Sequence, residues 1–205
     1  MDLESFNTSR ESLVPLLALN NKSNKNIIIF PTDKEAIEFS TDFSNLNKNI
    51  FHLPSWDTLS YDSFVPSFDI QGKRLEIAHL LLTNNNYNIA TSIKAISQRI
   101  YFEELEICKI SLNEEIDFDL LIENLIHLKY QRKDRVESKG SFAIRGGQLD
   151  VFPINYDLPL RVIFDGDLVS EIKTFDTISQ RSISEKNNIL VVPATELFQI
   201  RQSHI

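Results

Sequence analysis

Glycine is confined almost entirely to one segment of this chain. Four of the five glycines among its 205 residues lie between positions 140 and 166. Glycine serves where the backbone needs a positive φ or a close approach, so this segment is expected to bend sharply. Apolar residues recur there in the alternation that a half-buried strand requires, at Phe142, Ile144, Leu149, Val151, Leu160, Val162 and Phe164. Residues 141–167 therefore predict two strands of a tight sheet, joined by a turn at 155–159.

Two arginines stand on these predicted strands. Arg145 immediately precedes the pair Gly146–Gly147, and Arg161 lies in the second strand. Because residues on neighbouring strands come together, we expect the two side chains to form one exposed pair of guanidinium groups. Arginine offers planar, multidentate donors and is favoured at the centres of protein interfaces. An interface function and an ordinary surface position, in which each arginine pairs with a nearby aspartate, both remain open at this point.

The first hundred residues alternate between apolar strands and amphipathic helices. Strands are predicted at 26–31, 49–54 and 88–93, and helices at 33–43 and 72–83. Continuous rather than alternating hydrophobicity indicates strands of a parallel sheet that is covered on both faces. The pattern predicts an α/β domain at residues 1–100.

The pattern changes after residue 100. It predicts a strand at 101–112, a helix at 117–130, the glycine-rich sheet, and a further strand at 168–175. These elements indicate a separate α+β domain at 101–187. A last unbroken apolar strand at 188–193 predicts that the chain returns to the first domain's sheet near 188–205, which would make the smaller domain an insertion.

The motifs of a nucleotide-dependent enzyme are missing from the sequence. A phosphate-binding P-loop needs glycine amides in the pattern G-x-x-x-x-G-K-[ST], yet no glycine precedes the first predicted strand, and no GxGxxG occurs. The four histidines are scattered without the spacing of metal ligands. We therefore expect no catalytic residue, cofactor or metal in this segment, which argues against an ATP-dependent helicase activity of its own.

The charge distribution leaves one alternative function open. The net charge is −8, which disfavours generic nucleic-acid binding, but residues 129–145 hold six basic and two acidic side chains. This basic patch is either a solvated face or the contact surface of a DNA-binding module. No apolar run approaches the ~20 residues of a membrane span. The single cysteine, Cys108, fits a reducing cytoplasm.

Long ungapped motifs now identify a family. SFAIRGGQLDVFP at 141–153, LPLRVIFDGD at 158–167 and IKTFDTISQRSI at 172–183 closely resemble the second domain of the transcription-repair coupling factor (Mfd) and, more distantly, of UvrB. HLPSWDTLSYDSFVPSFDIQGKRLE at 52–76 and ATSIKAISQRI at 90–100 resemble the coupling factor's first domain. The coupling factor is the closer of the two, since UvrB carries a P-loop and a DNA-clamping hairpin that this chain lacks.

The resemblance implies the N-terminal UvrB-like region of a bacterial coupling factor: a parallel-sheet α/β domain of the helicase type without a P-loop, with an inserted smaller α+β domain. It implies a non-catalytic adaptor of the cytoplasm that recruits UvrA to RNA polymerase stalled at DNA lesions. Damaged DNA would be reached only indirectly, and the ATP- and Mg²⁺-dependent motor and the polymerase-binding domain would lie C-terminal. Arg145, Gly146, Arg161 and Asp165 occupy the family's UvrA-contact positions, where Asp165 replaces a frequent aromatic residue.

Overall fold

The computed structural model describes residues 25–45, 49–58, 64–98 and 105–196. The chain divides into two compact units, the first of Met1–Asp57 with His79–Ile100 and the second of Thr58–Ala78 with Tyr101–Ile205. Residues 58–78, which the sequence pattern placed in the first domain, thus group with the second unit. Within the described ranges, no helix has the length and apolar character needed to cross a membrane.

The first unit is a small parallel sheet with helices, which confirms its predicted α/β character. Its strands are β1 (Lys25–Phe30), β2 (Phe51–Leu53) and β3 (Tyr87–Ser92), in the order β1-β3-β2. Helices α1 (Asp33–Ser44) and α3 (Ile93–Ser97) follow β1 and β3. At the start of α1, Thr32 Oγ1 accepts from the Glu35 amide and donates to the Glu35 carboxylate, so the Thr32 side chain caps the helix. The buried core comprises Phe30, Ala36, Phe39, Phe43 and Ala90.

Helix α2 (Phe68–Thr83) begins four residues before its predicted start at residue 72 and contributes Phe68–Ala78 to the second unit. Arg74 and Glu196 form an ion pair there at 2.9 Å, with 0% and 4% of their side chains exposed. The Gln71 side chain accepts hydrogen bonds from the Thr195 hydroxyl and the Glu196 amide. These contacts anchor the helix to the end of the described chain.

The second unit is built on a six-stranded sheet in the order β10-β9-β8-β7-β6-β5 and a two-stranded sheet of β4 and β11. Its elements are β4 (Cys108–Ser111), α4 (Phe118–His127), β5 (Gln131–Arg132), β6 (Ser141–Arg145), β7 (Gln148–Phe152), β8 (Leu160–Asp165), β9 (Leu168–Phe175), β10 (Ser182–Glu185) and β11 (Asn188–Val191). One face of the larger sheet packs on the apolar side of α4, where Leu121, Leu125, Phe142, Leu149 and Val162 are buried. The predicted helix and the strand at 168–175 are confirmed.

The glycine-rich segment holds three strands rather than the two predicted from its sequence. Gly146 and Gly147 form the turn of a hairpin between β6 and β7, and Gly146 has a φ of 61°. Two-residue hairpin turns need positive φ, which glycine adopts without steric cost. Strand β7 therefore separates β6 from β8, so the expectation that Arg145 and Arg161 lie on neighbouring strands is wrong.

The last predicted strand does not return to the first sheet. Strand β11 pairs antiparallel with β4, from Asn188 opposite Ser111 to Val191 opposite Cys108. Its Ile189 and Val191 side chains join the core of the second unit, which stabilises this pairing through apolar burial. The predicted return to the first sheet is therefore wrong for β11, and residues 197–205 lie outside the described part of the chain, as do residues 101–104 of the strand predicted at 101–112.

Candidate protein-interaction surface

The six-stranded sheet has a second face, opposite α4, that carries mostly polar side chains. We call it the polar face and define it by Arg145, Gln148, Asp150, Arg161, Ile163 and Asp165. The pairing register and strand alternation place these residues together, since Gln148 lies opposite both Arg145 and Ile163, and Asp150 lies opposite Arg161. The two predicted arginines therefore share a face but have β7 between them.

Arg161 is held firmly within the polar face. Its Nε and Nη2 atoms donate to Oδ1 and Oδ2 of Asp150 at 2.7 and 2.8 Å, and its guanidinium carbon lies 4.5 Å from the ring centroid of Phe175. Only 15% of the Arg161 side chain and 5% of the Asp150 side chain are exposed. Hydrogen bonding to Asp150 raises the pKa of Arg161 above its usual value. Most of the donors of Arg161 are thus satisfied inside the chain.

A loop formed by residues 176–181 lies beside this ion pair. Arg161 Nη1 donates to the Gln180 carbonyl at 3.2 Å, and Arg135 Nη2 donates to the carbonyls of Thr177 and Ile178 at 2.7 and 3.0 Å. Within the loop, the Asp176 carboxylate accepts from the Ser179 amide at 2.7 Å. Two arginines from different parts of the sequence therefore fix the position of loop 176–181.

Arg145, on the polar face, and Gly146, in the hairpin turn next to it, are both exposed. Arg145 is exposed, and its Nη2 donates to the Asp134 carbonyl at 3.2 Å. No atom lies within 4 Å of a Cβ built on Gly146, so the space above it is open. At Gly147 the same Cβ would lie 2.9 Å from the carbonyl oxygen of Phe164, which excludes larger residues there.

Asp165 is exposed at the end of β8, immediately before the hairpin turn at Gly166. The adjacent Phe164 points to the opposite side of the strand, where it is 7% exposed and packs edge-to-face on Phe118 with ring centroids 5.0 Å apart. Phe164 therefore belongs to the core and does not supply an aromatic contact on the polar face.

The predicted basic patch at 129–145 is divided by internal contacts. Arg135 donates to loop 176–181, Arg145 donates to a backbone carbonyl, and Lys139 binds the Asp69 carboxylate and the Ile154 carbonyl with 16% of its side chain exposed. Arg132 lies on the edge strand β5 opposite Phe142, which belongs to the face of the sheet that packs on α4. Three of the six basic side chains, those of Arg135, Lys139 and Arg145, thus make contacts within the chain.

Comparison with known proteins finds sequence similarity over most of this chain. Residues 108–197 match the family profile of the UvrB interaction domain. The transcription-repair-coupling factor of Escherichia coli is 29% identical over 174 residues, and that of Mycobacterium tuberculosis is 30% identical over 169 residues. These alignments cover 83% and 78% of this chain but only 15% and 14% of the two relatives.

The UvrABC system protein B of Thermosipho africanus is more distant, at 22% identity over 188 residues, covering 83% of this chain and 28% of that protein. The chain thus spans a small fraction of the length of its relatives, and the matched domain coincides with the part of the second unit that carries the polar face. The predicted resemblance to the N-terminal UvrB-like region of the transcription-repair coupling factor is thereby confirmed, with residues 108–197 matching the UvrB interaction domain.

Proposed function

We propose that this segment is a non-catalytic adaptor that binds the excision-repair protein UvrA and so directs repair to RNA polymerase stalled at DNA lesions in the bacterial cytoplasm. The observation that carries this proposal is the match of residues 108–197 to the UvrB interaction domain. ATP hydrolysis and Mg²⁺ binding are assigned to a motor in the remainder of a full-length coupling factor. DNA is reached through the partners of the segment.

The polar face is the proposed contact surface for UvrA. Arg145 is exposed, and its guanidinium donates to the backbone carbonyl of Asp134. The other N–H donors of the guanidinium can bind a carboxylate of the partner. The open space above Gly146 lets the partner's backbone approach the hairpin turn closely. Asp165 adds an exposed carboxylate as a hydrogen-bond acceptor, where an aromatic side chain would instead add apolar area.

Arg161 supports the same surface through contacts within the chain. Because its guanidinium is bound to Asp150 and to Gln180, we assign it the function of holding the sheet and loop 176–181 in place. This assignment separates the two arginines that the sequence treated as a pair. Arg145 contacts the partner directly, and Arg161 supports the surface on which that contact forms.

A binding titration with purified UvrA tests the proposal. Arg145→Ala should weaken affinity by about 2 kcal/mol, roughly 30-fold, as expected for a central interface arginine. Arg132→Ala is the matched control, because Arg132 is also exposed but lies opposite Phe142, which belongs to the face of the sheet that packs on α4. Wild-type affinity in both variants would exclude Arg145 as a contact residue, and absence of binding by the wild-type chain would contradict the proposed function itself.

A further inference from the structure

Loop 176–181 presents an isoleucine to solvent. The side chain of Ile178 is 86% exposed, the highest value for a large apolar side chain within the described ranges. Single exposed apolar residues are common on protein surfaces and need no explanation by themselves. The environment of Ile178 is less common, because its backbone is fixed by contacts from distant parts of the chain.

The backbone of the loop is held on both sides of Ile178. Arg135 binds the carbonyls of Thr177 and Ile178 itself, and Arg161 binds the Gln180 carbonyl. The loop is closed by backbone hydrogen bonds from the Gln180 amide to Asp176 and from the Asp176 amide to the Arg181 carbonyl, at 2.9 and 3.0 Å. A side chain carried on a fixed backbone loses little conformational freedom when a partner binds it, which favours tight contact.

The charged side chains near Ile178 are of both signs, since Asp176 lies in the same loop and Glu137 lies 3.8 Å from Arg135. Arg135 has 41% of its side chain exposed, and Arg181 is exposed in loop 176–181. Arg145 donates to the carbonyl of Asp134, the residue before Arg135. An apolar centre within a charged rim is the arrangement of an interface hot spot.

We propose that Ile178, in the loop beside the polar face, is the apolar anchor of the contact and inserts into an apolar pocket with a polar rim on UvrA, with Arg135 and Arg161 as positioning residues that hold its loop. This inference rests on the proposed function. It assigns the apolar contact to loop 176–181, because Phe164 is buried in the core and Asp165 presents a carboxylate.

The test is a UvrA titration with Ile178→Asp, Ile178→Val and Leu120→Asp. Leu120 is 54% exposed on α4, across the sheet from the polar face, so its replacement introduces the same charge away from the proposed contact. We expect Ile178→Asp to lower affinity at least tenfold with an unchanged urea midpoint. Ile178→Val and Leu120→Asp should keep wild-type affinity.

The positioning function has its own readout. Arg135→Ala should weaken binding in the wild-type background but add little to Ile178→Asp, since it acts through the loop that carries Ile178. Full additivity would show that Arg135 acts independently and would overturn the positioning assignment. Wild-type affinity for Ile178→Asp would overturn the anchor while leaving UvrA binding intact, whereas failure of the wild-type chain to bind would overturn both proposals.

Discussion

Arg161 and Asp150 face each other across β8 and β7 and form a two-pronged ion pair in which both carboxylate oxygens are bound. The pair is largely buried, with 15% and 5% of the two side chains exposed. Removing one partner of such a pair leaves the other charge desolvated and uncompensated, which costs more than the pair itself contributes.

We therefore expect Arg161→Ala to destabilise the second unit by about 3 kcal/mol, because the Asp150 carboxylate would remain buried without its partner. Urea unfolding measures this change. The same truncation at the exposed Arg145 should alter the free energy of unfolding by less than about 0.5 kcal/mol. Equal urea midpoints for the two variants would contradict a supporting function of Arg161.

Gly72→Ala should also destabilise the second unit, although alanine favours a helix over glycine by about 1 kcal/mol. A Cβ at this position of α2 would lie 2.3 Å from the carbonyl oxygen of Ile154, which is backbone and cannot rotate away. Overpacking of this kind costs about 1–3 kcal/mol. The check is a lower urea midpoint for Gly72→Ala, and an unchanged or higher midpoint would exclude the close approach of α2 to residue 154.

Asp33 should make the first unit sensitive to acid. Burial opposes ionisation of this carboxyl, but hydrogen bonds from the Ser55 and Ser92 side chains prevail and lower its pKa below the ordinary value of 3.8. A carboxyl whose pKa is depressed in the folded state stabilises that state above the unfolded-state pKa, and this contribution is lost as the pH falls through the folded-state value.

The free energy of unfolding of the wild type should consequently exceed that of Asp33→Asn at pH 6, and the two should converge as the pH falls below the ordinary aspartate value of 3.8. Urea unfolding followed at several pH values measures the difference. A difference that stayed constant between pH 6 and pH 2 would exclude Asp33 as the titrating group.

The UvrA complex should weaken as salt increases, since exposed charges at an interface are screened over about 10 Å at 0.1 M ionic strength. Removal of Arg145 takes away one such charge, so the affinity of Arg145→Ala should depend less steeply on NaCl concentration. Titrations at several salt concentrations compare the two slopes. Identical slopes would mean that Arg145 binds UvrA through a contact other than a charge pair.

Local sequence signals predicted most elements of both units but not the hairpin turn at Gly146–Gly147. A signal for it was present, because the apolar positions change phase there, from Phe142 and Ile144 to Leu149 and Val151. A single continuous strand cannot keep both sets on one face, whereas a two-residue hairpin does so. That hairpin is what places Asp150 opposite Arg161.

Other features depend on contacts that no local pattern contains. An unbroken apolar strand such as β11 fits any sheet with room for it, and its pairing with β4 is decided by the shared core. The bonds from Arg135 to the carbonyls of Thr177 and Ile178 join residues more than 40 positions apart. Residue type alone therefore could not identify loop 176–181 as part of the candidate surface.

The ion pair between Arg74 and Glu196 has a practical consequence for anyone excising the interaction domain. The family match begins at residue 108, yet Arg74, Gln71 and Gly72 pack within the same unit as residues 154 and 195–196. A fragment cut at residue 108 would leave the Glu196 carboxylate buried without its guanidinium and expose the surface that α2 covers. An autonomous version of this unit requires the helix to be retained, for example by grafting residues 64–78 through a new linker.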